Sequence, residues 1–240
     1  MSEWKLKRFW SDVSIKPEAD GYSVVLDGRV VKTPAKATLV LPNEALAQKV
    51  ADEWAAVKEE IKPADMPYTR SANAALDKVA VQHAEVAGLI AAYAETDLLC
   101  YRADSPAELQ ARQAEAWGVP IKWANETHGM PFRIATGVMP VSQPEETLQR
   151  ALEISQKMDS FALTGFHDLV SLTGSFVLGL MAADGHGVPE NLWNISRIDE
   201  TWQVEQWGVD DEAAELAETK RTQFLHAYNF FHLRHFRRTH

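Results

Sequence analysis

Apolar and polar residues along this chain follow two periods, and the change between them falls near Pro42. Before it, Tyr22-Ser-Val-Val-Leu26 and Arg29-Val-Val-Lys-Thr33 are runs rich in β-branched residues, separated only by Asp27-Gly28. That spacer closes a tight hairpin, because Asp and Gly both tolerate the positive φ such a turn requires. Ala37-Thr-Leu-Val-Leu41 adds a further strand. The first forty residues therefore predict a small antiparallel sheet.

From Asn43 onward the period is helical. Asn43 is a capping residue, and Leu46, Val50, Trp54 and Val57 follow at three- and four-residue spacing on one face. Ser105-Pro-Ala-Glu108 predicts an N-cap, a first-turn proline and a reciprocal capping glutamate, and Ser142-Gln-Pro-Glu145 repeats the pattern. A last helix opens on Asp210, Asp211 and Glu212 and closes among Arg234, Arg237 and Arg238, an order that suits the helix dipole at both ends. Phe132-Arg-Ile-Ala135 is the one extended interruption expected, and there is no internal repeat or low-complexity linker. The fold class predicted is α+β: a small N-terminal antiparallel β domain, residues 1–42, then a larger mainly helical domain, residues 43–240. The Lys62-Pro-Ala-Asp-Met-Pro67 segment is the alternative boundary, extending the β domain to about residue 66.

The stretch from Phe161 to Ala183 is long and largely apolar. A bilayer needs about 20 apolar residues in a row, whereas His167 and Asp168 stand near its start and no basic cluster flanks it. Ser171, Ser175, Gly179 and Ala183 recur at every fourth position, a stripe of small side chains that lets another helix approach closely. A helix at the centre of the helical domain, with no membrane insertion, is the expectation.

Composition narrows the function. Hydrophobic residues at 46% and charged residues at 24% are those of a globular protein, and a net charge of −10 disfavours nucleic acid as a partner. One cysteine, Cys100, excludes an internal disulfide and any multi-cysteine metal site. The opening MSEWKLKRFW has neither a signal peptide's apolar core nor a transit peptide's Arg/Ser-rich character, so a reducing cytoplasm or matrix-like compartment is expected.

Phosphate-cradling and nucleophile-elbow motifs are absent: Gly185-His-Gly187 lacks the glycine that would follow, and Gly174-Ser175 runs into Phe176-Val177. No cofactor, metal or nucleotide is expected. Cys100 closes the apolar Asp97-Leu-Leu-Cys-Tyr run and reads as a buried small residue. His167-Asp168 reads as capping or core hydrogen bonding, because adjacent helical residues point in different directions. His226, His232, His235 and His240 are interleaved with arginines and read as a solvated helix end. Two polar groups stay open between structural and binding roles. Arg70, Asn73 and Asp77 lie along one side of a helix. Asp199-Glu-Thr-Trp-Gln-Val-Glu-Gln-Trp-Gly208 carries Asp199 and Gln203 between two apolar stripes, one of Ile195, Ile198 and Trp202, the other of Val204 and Trp207. A helix with two such stripes is wedged between layers, or turns one stripe to a partner.

Several of these blocks recur together in one family. Leu26-Asp-Gly-Arg-Val-Val-Lys-Thr-Pro34, Glu53-Trp54, Met66-Pro-Tyr-Thr-Arg70, Thr96-Asp-Leu-Leu-Cys-Tyr-Arg102, Gly137-Val-Met-Pro140 and Asp199–Gly208 resemble, in this order, the ATP synthase assembly chaperones of mitochondria and α-proteobacteria. The resemblance runs from about Arg8 to the last helix. It implies a small β domain before a helical domain, and a client: the unassembled α subunit of the F-type ATP synthase catalytic head, held until a β subunit replaces the chaperone. It implies no catalysis, metal or nucleotide. It also implies functional acidity beside Trp202, which Asp199 or Glu200 supplies here. Together with the two polar groups read from the residues, this gives an expected partner contact of Asp199, Glu200, Trp202, Gln203, Glu205 and Trp207, with Arg70, Asn73 and Asp77 as the second group. Trp117-Gly-Val-Pro120 departs from the Trp-Asp-Pro that the resemblance implies, so a different local turn is expected there. Without the presequence of mitochondrial members, the chain is expected in a bacterial cytoplasm, and its eukaryotic relatives in the mitochondrial matrix. The rival readings are a hydrolase built on Cys100 or His167, and a peptide-binding module using the edge of the N-terminal sheet.

Overall fold

A computed structural model describes residues 7–137 and 139–234. The chain start, Val138, and the expectations resting on His235, Arg237, Arg238 and His240 lie outside the described residues. Two compact units divide the chain. One takes the residues up to His83 together with Asp159–Thr164 and the segment from Asn229, and the other takes Ala84–Met158 and Gly165–Tyr228.

The first unit is built on four antiparallel strands: β1 (Val13–Glu18), β2 (Gly21–Leu26), β3 (Arg29–Val30) and β4 (Val40–Leu41). β2 pairs with β1 along one side, Val13 opposite Leu26, and with β3 and β4 along the other. The hairpin forms where Asp27-Gly28 predicts it, with φ of +45° and +80°. The Asp27 carboxylate accepts the Asp12 and Ser11 N–H groups at 2.8 and 3.1 Å, and these bonds hold its pKa below the usual carboxylate range. β1, the edge strand, carries Lys16 and Pro17, which disfavour pairing with another chain.

α1 (Glu44–Ala56) lays Leu46, Ala47 and Val50 into the core with Val24, Leu39 and Leu41, all fully buried. Asn43 does two jobs. Its Oδ1 accepts the Leu46 N–H at 2.9 Å as the helix cap, and its Nδ2 donates to the Leu233 and Arg234 carbonyls at 2.8 and 2.6 Å. Trp54 is half-buried against this core, its ring 5.2 Å from that of Trp10. α2 (Pro67–Ala74) has no capping side chain of its own. Glu53 reaches across from α1 instead, accepting the Tyr68 and Thr69 N–H groups at 2.6 and 2.8 Å and the Thr69 hydroxyl at 2.7 Å. Burial raises the Glu53 pKa against the pull of those bonds.

The second unit is helical: α3 (His83–Ala91), α4 (Ala107–His128), α5 (Glu145–Gln156), α6 (Ser160–Thr173), α7 (Phe176–Ala183), α8 (Pro189–Ser196), α9 (Ile198–Trp207) and α10 (Asp211–Leu233), of which the first turn of α6 and the last of α10 belong to the first unit. β5 (Tyr101–Arg102) pairs in parallel with β6 (Ala135–Thr136), so the strand expected at Phe132–Ala135 starts only at Ala135 and runs one residue further. An N-terminal antiparallel sheet followed by a mainly helical remainder is the architecture the periods predict.

Four local expectations need correction. α4 and α5 start after Pro106 and Pro144, which are extended and offer no capping side chain. The serines thus stand outside the helices, Ser105 bonded to Asp104 and Gln143 turned back to Arg133. Trp117–Pro120 forms no turn, because α4 continues through a buried Pro120. The apolar 161–183 run is two helices, broken at Gly174 with φ of +69° and restarted by the Ser175 hydroxyl on the Leu178 N–H. Its small-residue stripe is interrupted there, but Gly179 does allow close approach: a Cβ at that position would sit 2.4 Å from Val170 Cγ2. Among the described residues, no helix is long and apolar enough to cross a membrane.

Candidate functional site

The segment Ile195–Gly208, expected as one helix, is two. Arg197, at φ −110° and ψ 17°, ends α8 and starts α9, and Gly208 at φ +89° ends α9. Ile198 is buried and Trp202 half-buried on the inward side. The other stripe turns outward: Val204 is 43% and Trp207 79% exposed, and Val209 and Leu216 continue the apolar surface at 67% and 55%. Wedging between layers is therefore not what the second stripe does. Isolated exposed apolar residues need no explanation, but Val204, Trp207 and Val209 fall within six positions at the end of α9.

Asp199 is placed by a side chain that sequence reasoning passed over. Gln113, 1% exposed on α4, accepts the Ala103 N–H with Oε1 at 2.8 Å and donates from Nε2 to Asp199 Oδ1 at 2.6 Å. One amide thus fixes α9 against the segment that follows β5. Next to it, Arg112 Nη1 pairs with Glu205 Oε1 at 2.8 Å while its guanidinium lies 5.1 Å from the Trp202 ring centre. The pair lowers the pKa of Glu205 and raises that of Arg112, and on this exposed face it contributes little to folding. Glu200 pairs with Arg197 one turn back.

Gln113, Asp199 and Trp202 border a cleft of about 420 Å³. Tyr101 and Arg102 of β5 form one wall, Asp104 and Gln113 lie along it, and Asp199, Trp202, Gln203 and Trp207 of α9 form the other. Arg102 is the unusual member. Its Nε and Nη2 are sealed from solvent with no hydrogen-bond partner among the described residues, and burial lowers its pKa.

The second polar group lies in the other unit. Asp77 Oδ2 accepts the Ala35 N–H at 2.9 Å, tying the loop after β3 to a π turn at Ala75–Val79, and Arg70 is exposed. That π turn continues α2 from Ala75, so Arg70, Asn73 and Asp77 are not spaced along one regular α-helix. Asn73 Oδ1 is buried without a hydrogen-bond partner among the described residues. Asp199 and its neighbours belong to the helical unit, whereas Arg70, Asn73 and Asp77 belong to the first.

Sequence reasoning also missed Asp97, which is fully buried. Its carboxylate accepts the Leu99 N–H, the Ser175 hydroxyl and the Val177 N–H, each at 3.0 Å, and so joins the 3₁₀ turn at Leu98–Cys100 to the start of α7. Burial outweighs those bonds and raises its pKa to about 6. The signal available in the sequence was an Asp directly before an apolar run, the position of a cap.

Neither candidate nucleophile has the setting its chemistry needs. Cys100 is fully buried, and burial together with the Asp97 charge pushes its thiol pKa up, away from the reactive thiolate. His167 Nδ1 lies 2.9 Å from Asp168 Oδ1, so these adjacent side chains do meet; both are about half exposed, and the pair raises the His167 pKa. Among the described residues, no three His, Cys, Asp or Glu side chains are grouped to hold a metal ion.

Comparison with known proteins gives this architecture its relatives. A family model described as "ATP12 chaperone protein" matches residues 7–125. The mitochondrial protein atp12 of Schizosaccharomyces pombe is 25% identical over 223 residues, covering 88% of this chain and 76% of that protein. The crystal structure of Atp12 from Paracoccus denitrificans superposes with a TM-score of 0.93 at 45% identity, covering 97% of this chain and all of that one. An Asp-to-Lys mutant of the Paracoccus protein matches equally, with a TM-score of 0.94. With 45% identity sustained along essentially the whole of both chains, this protein belongs to the ATP12 chaperone family, the ATP synthase assembly chaperones whose sequence blocks it carries.

Proposed function

We propose that this protein holds the unassembled α subunit of the F-type ATP synthase catalytic head, covers the surface that α buries against β, and releases it when β arrives. An isolated subunit of a ring exposes a large apolar surface, and such surfaces aggregate. A protein that covers it reversibly, and less tightly than the final neighbour, removes the hazard without chemistry or cofactor. The bacterial cytoplasm is the compartment proposed for this chain, and the mitochondrial matrix that of its eukaryotic relatives. The contact proposed is α9: Asp199, Glu200, Trp202, Gln203, Glu205 and Trp207, extended by Val204 and Val209. Arg70, Asn73 and Asp77 are assigned a supporting role in the first unit.

The observation that carries this reading is the outward stripe of α9, with Trp207 79% exposed on an otherwise acidic segment. Exposed aromatics are the residue type that anchors interfaces, and rim charges set which partner approaches and how fast. The test is capture of purified α subunit, without β, by the immobilised protein. Trp207→Ser with Val204→Ser, and separately Asp199→Lys with Glu200→Lys, should weaken capture. The first pair should leave the melting temperature nearly unchanged, since substitutions at exposed positions stay within about 0.5 kcal/mol. Capture by both variants at the level of the parent overturns α9 as the contact, and absence of capture by the parent overturns the client.

A further inference from the structure

The cleft between β5 and α9 is lined by a guanidinium, that of Arg102. Two of its three nitrogens are sealed from water, and neither has an acceptor among the described residues. A guanidinium is costly to desolvate unless an anion or a set of acceptors replaces the water. A long arginine side chain at a cleft mouth usually avoids that cost by swinging its head into solvent; this one is held in. The carboxylates that share the cleft do not pair with it. Asp199 Oδ1 is taken by Gln113, and Asp104 Oδ1 by the Ser105 hydroxyl.

We infer that Arg102 is a docking cation for a carboxylate side chain, Asp or Glu, on the client segment that packs over Trp207. This rests on the proposed function and adds the chemistry of what enters the cleft. Three features select that ligand. The guanidinium nitrogen that is not sealed, Nη1, is a strong charged donor to a single carboxylate oxygen. Asp104 and Asp199 in the same cleft repel a doubly charged phosphate more than a single carboxylate. Trp202 and Trp207 on the facing wall suit an apolar residue beside the acid, so a short acidic-apolar segment fills the cleft while its neighbours cover the α9 stripe. The free oxygen of Asp199, which bonds to no described residue, is available to a backbone N–H of the same segment.

The experiment measures α-subunit binding to the full chain as a function of salt. Arg102→Met keeps the length of the stem and removes the charge; with circular dichroism and melting temperature close to the parent, it should bind about thirtyfold or more weakly, the loss typical when one partner of a shielded charge pair is deleted. Its binding should also fall less steeply with salt than that of the parent. Arg102→Lys restores the charge on a donor of different reach and should recover part of the affinity. Inorganic phosphate at millimolar concentration should not compete, and competition by it would replace the carboxylate with a phosphate and overturn the assignment. If Arg102→Met binds like the parent while Trp207→Ser does not, the Arg102 inference fails and the α9 contact stands. If the parent binds no α subunit, both fail. If Arg102→Met unfolds, Arg102→Lys decides, because a purely structural cation leaves binding and its salt slope unchanged on that exchange.

Discussion

Replacing Asp97 by Asn should remove a pH dependence that this protein carries between about pH 4 and pH 6. Burial raises the Asp97 pKa from 3.8 to about 6, against the Leu99, Ser175 and Val177 donors that favour the charged form. A folded-state pKa above the unfolded value means the native protein binds the proton more tightly than the unfolded chain does. The stabilising contribution is therefore complete below about pH 3.8, declines as pH rises, and is gone above about pH 6. The gap between 3.8 and about 6 corresponds to about 3 kcal/mol. Asn cannot ionise and brings one acceptor oxygen instead of two, so it costs a constant amount, about 1–3 kcal/mol for a donor left unpaired. Urea denaturation at pH 4, 5, 6 and 7 gives the difference between parent and variant at each pH. That difference should shift in favour of Asn by up to about 3 kcal/mol from the acid end to pH 7. A difference constant with pH would refute the reasoning and show that the three donors offset the burial of the charge.

Gly179→Val should lower the melting temperature, because any Cβ there meets Val170 Cγ2 at 2.4 Å and the Val170 backbone at 3.1 Å; overpacking of this kind costs about 1–3 kcal/mol, and an unchanged melting curve would mean that α6 and α7 yield freely. Trp54→Arg should impair folding of the first unit, since it removes the ring packed on Trp10 and sets a charge against the core, at about 3 kcal/mol or more; a soluble variant with a parental melting curve would show that Trp54 contributes little.

What could be read from residues was local. The hairpin at Asp27-Gly28, the Asn43 cap and the start of α10 at Asp210 each follow from the chemistry of two or three neighbouring side chains. The Ser105 and Ser142 caps look identical on paper, yet fail because Pro106 and Pro144 take up the capping position in extended form. The break at Gly174 was hidden by the apolar residues around it. The Ser175 that restarts the helix there is held by a residue 78 positions away, Asp97. At the candidate site the sequence shows which residues on α9 are apolar or acidic. It does not show that Gln113 would hold Asp199, or that Arg102 would line the same cleft with two nitrogens lacking an acceptor among the described residues, since both depend on β5 and α4 meeting α9.

Asn43 has a consequence for how this chain is made. Its amide donates to carbonyls 190 and 191 residues further on, so the cap of α1 is completed by chain that the ribosome adds long after α1 itself. At about 5–20 residues per second that interval is about 10–40 s. For most of it the core that α1 and the sheet share with Phe230 lacks that ring. A protein of an assembly-chaperone family thus passes, during its own synthesis, through the same unfinished state from which its family protects another chain.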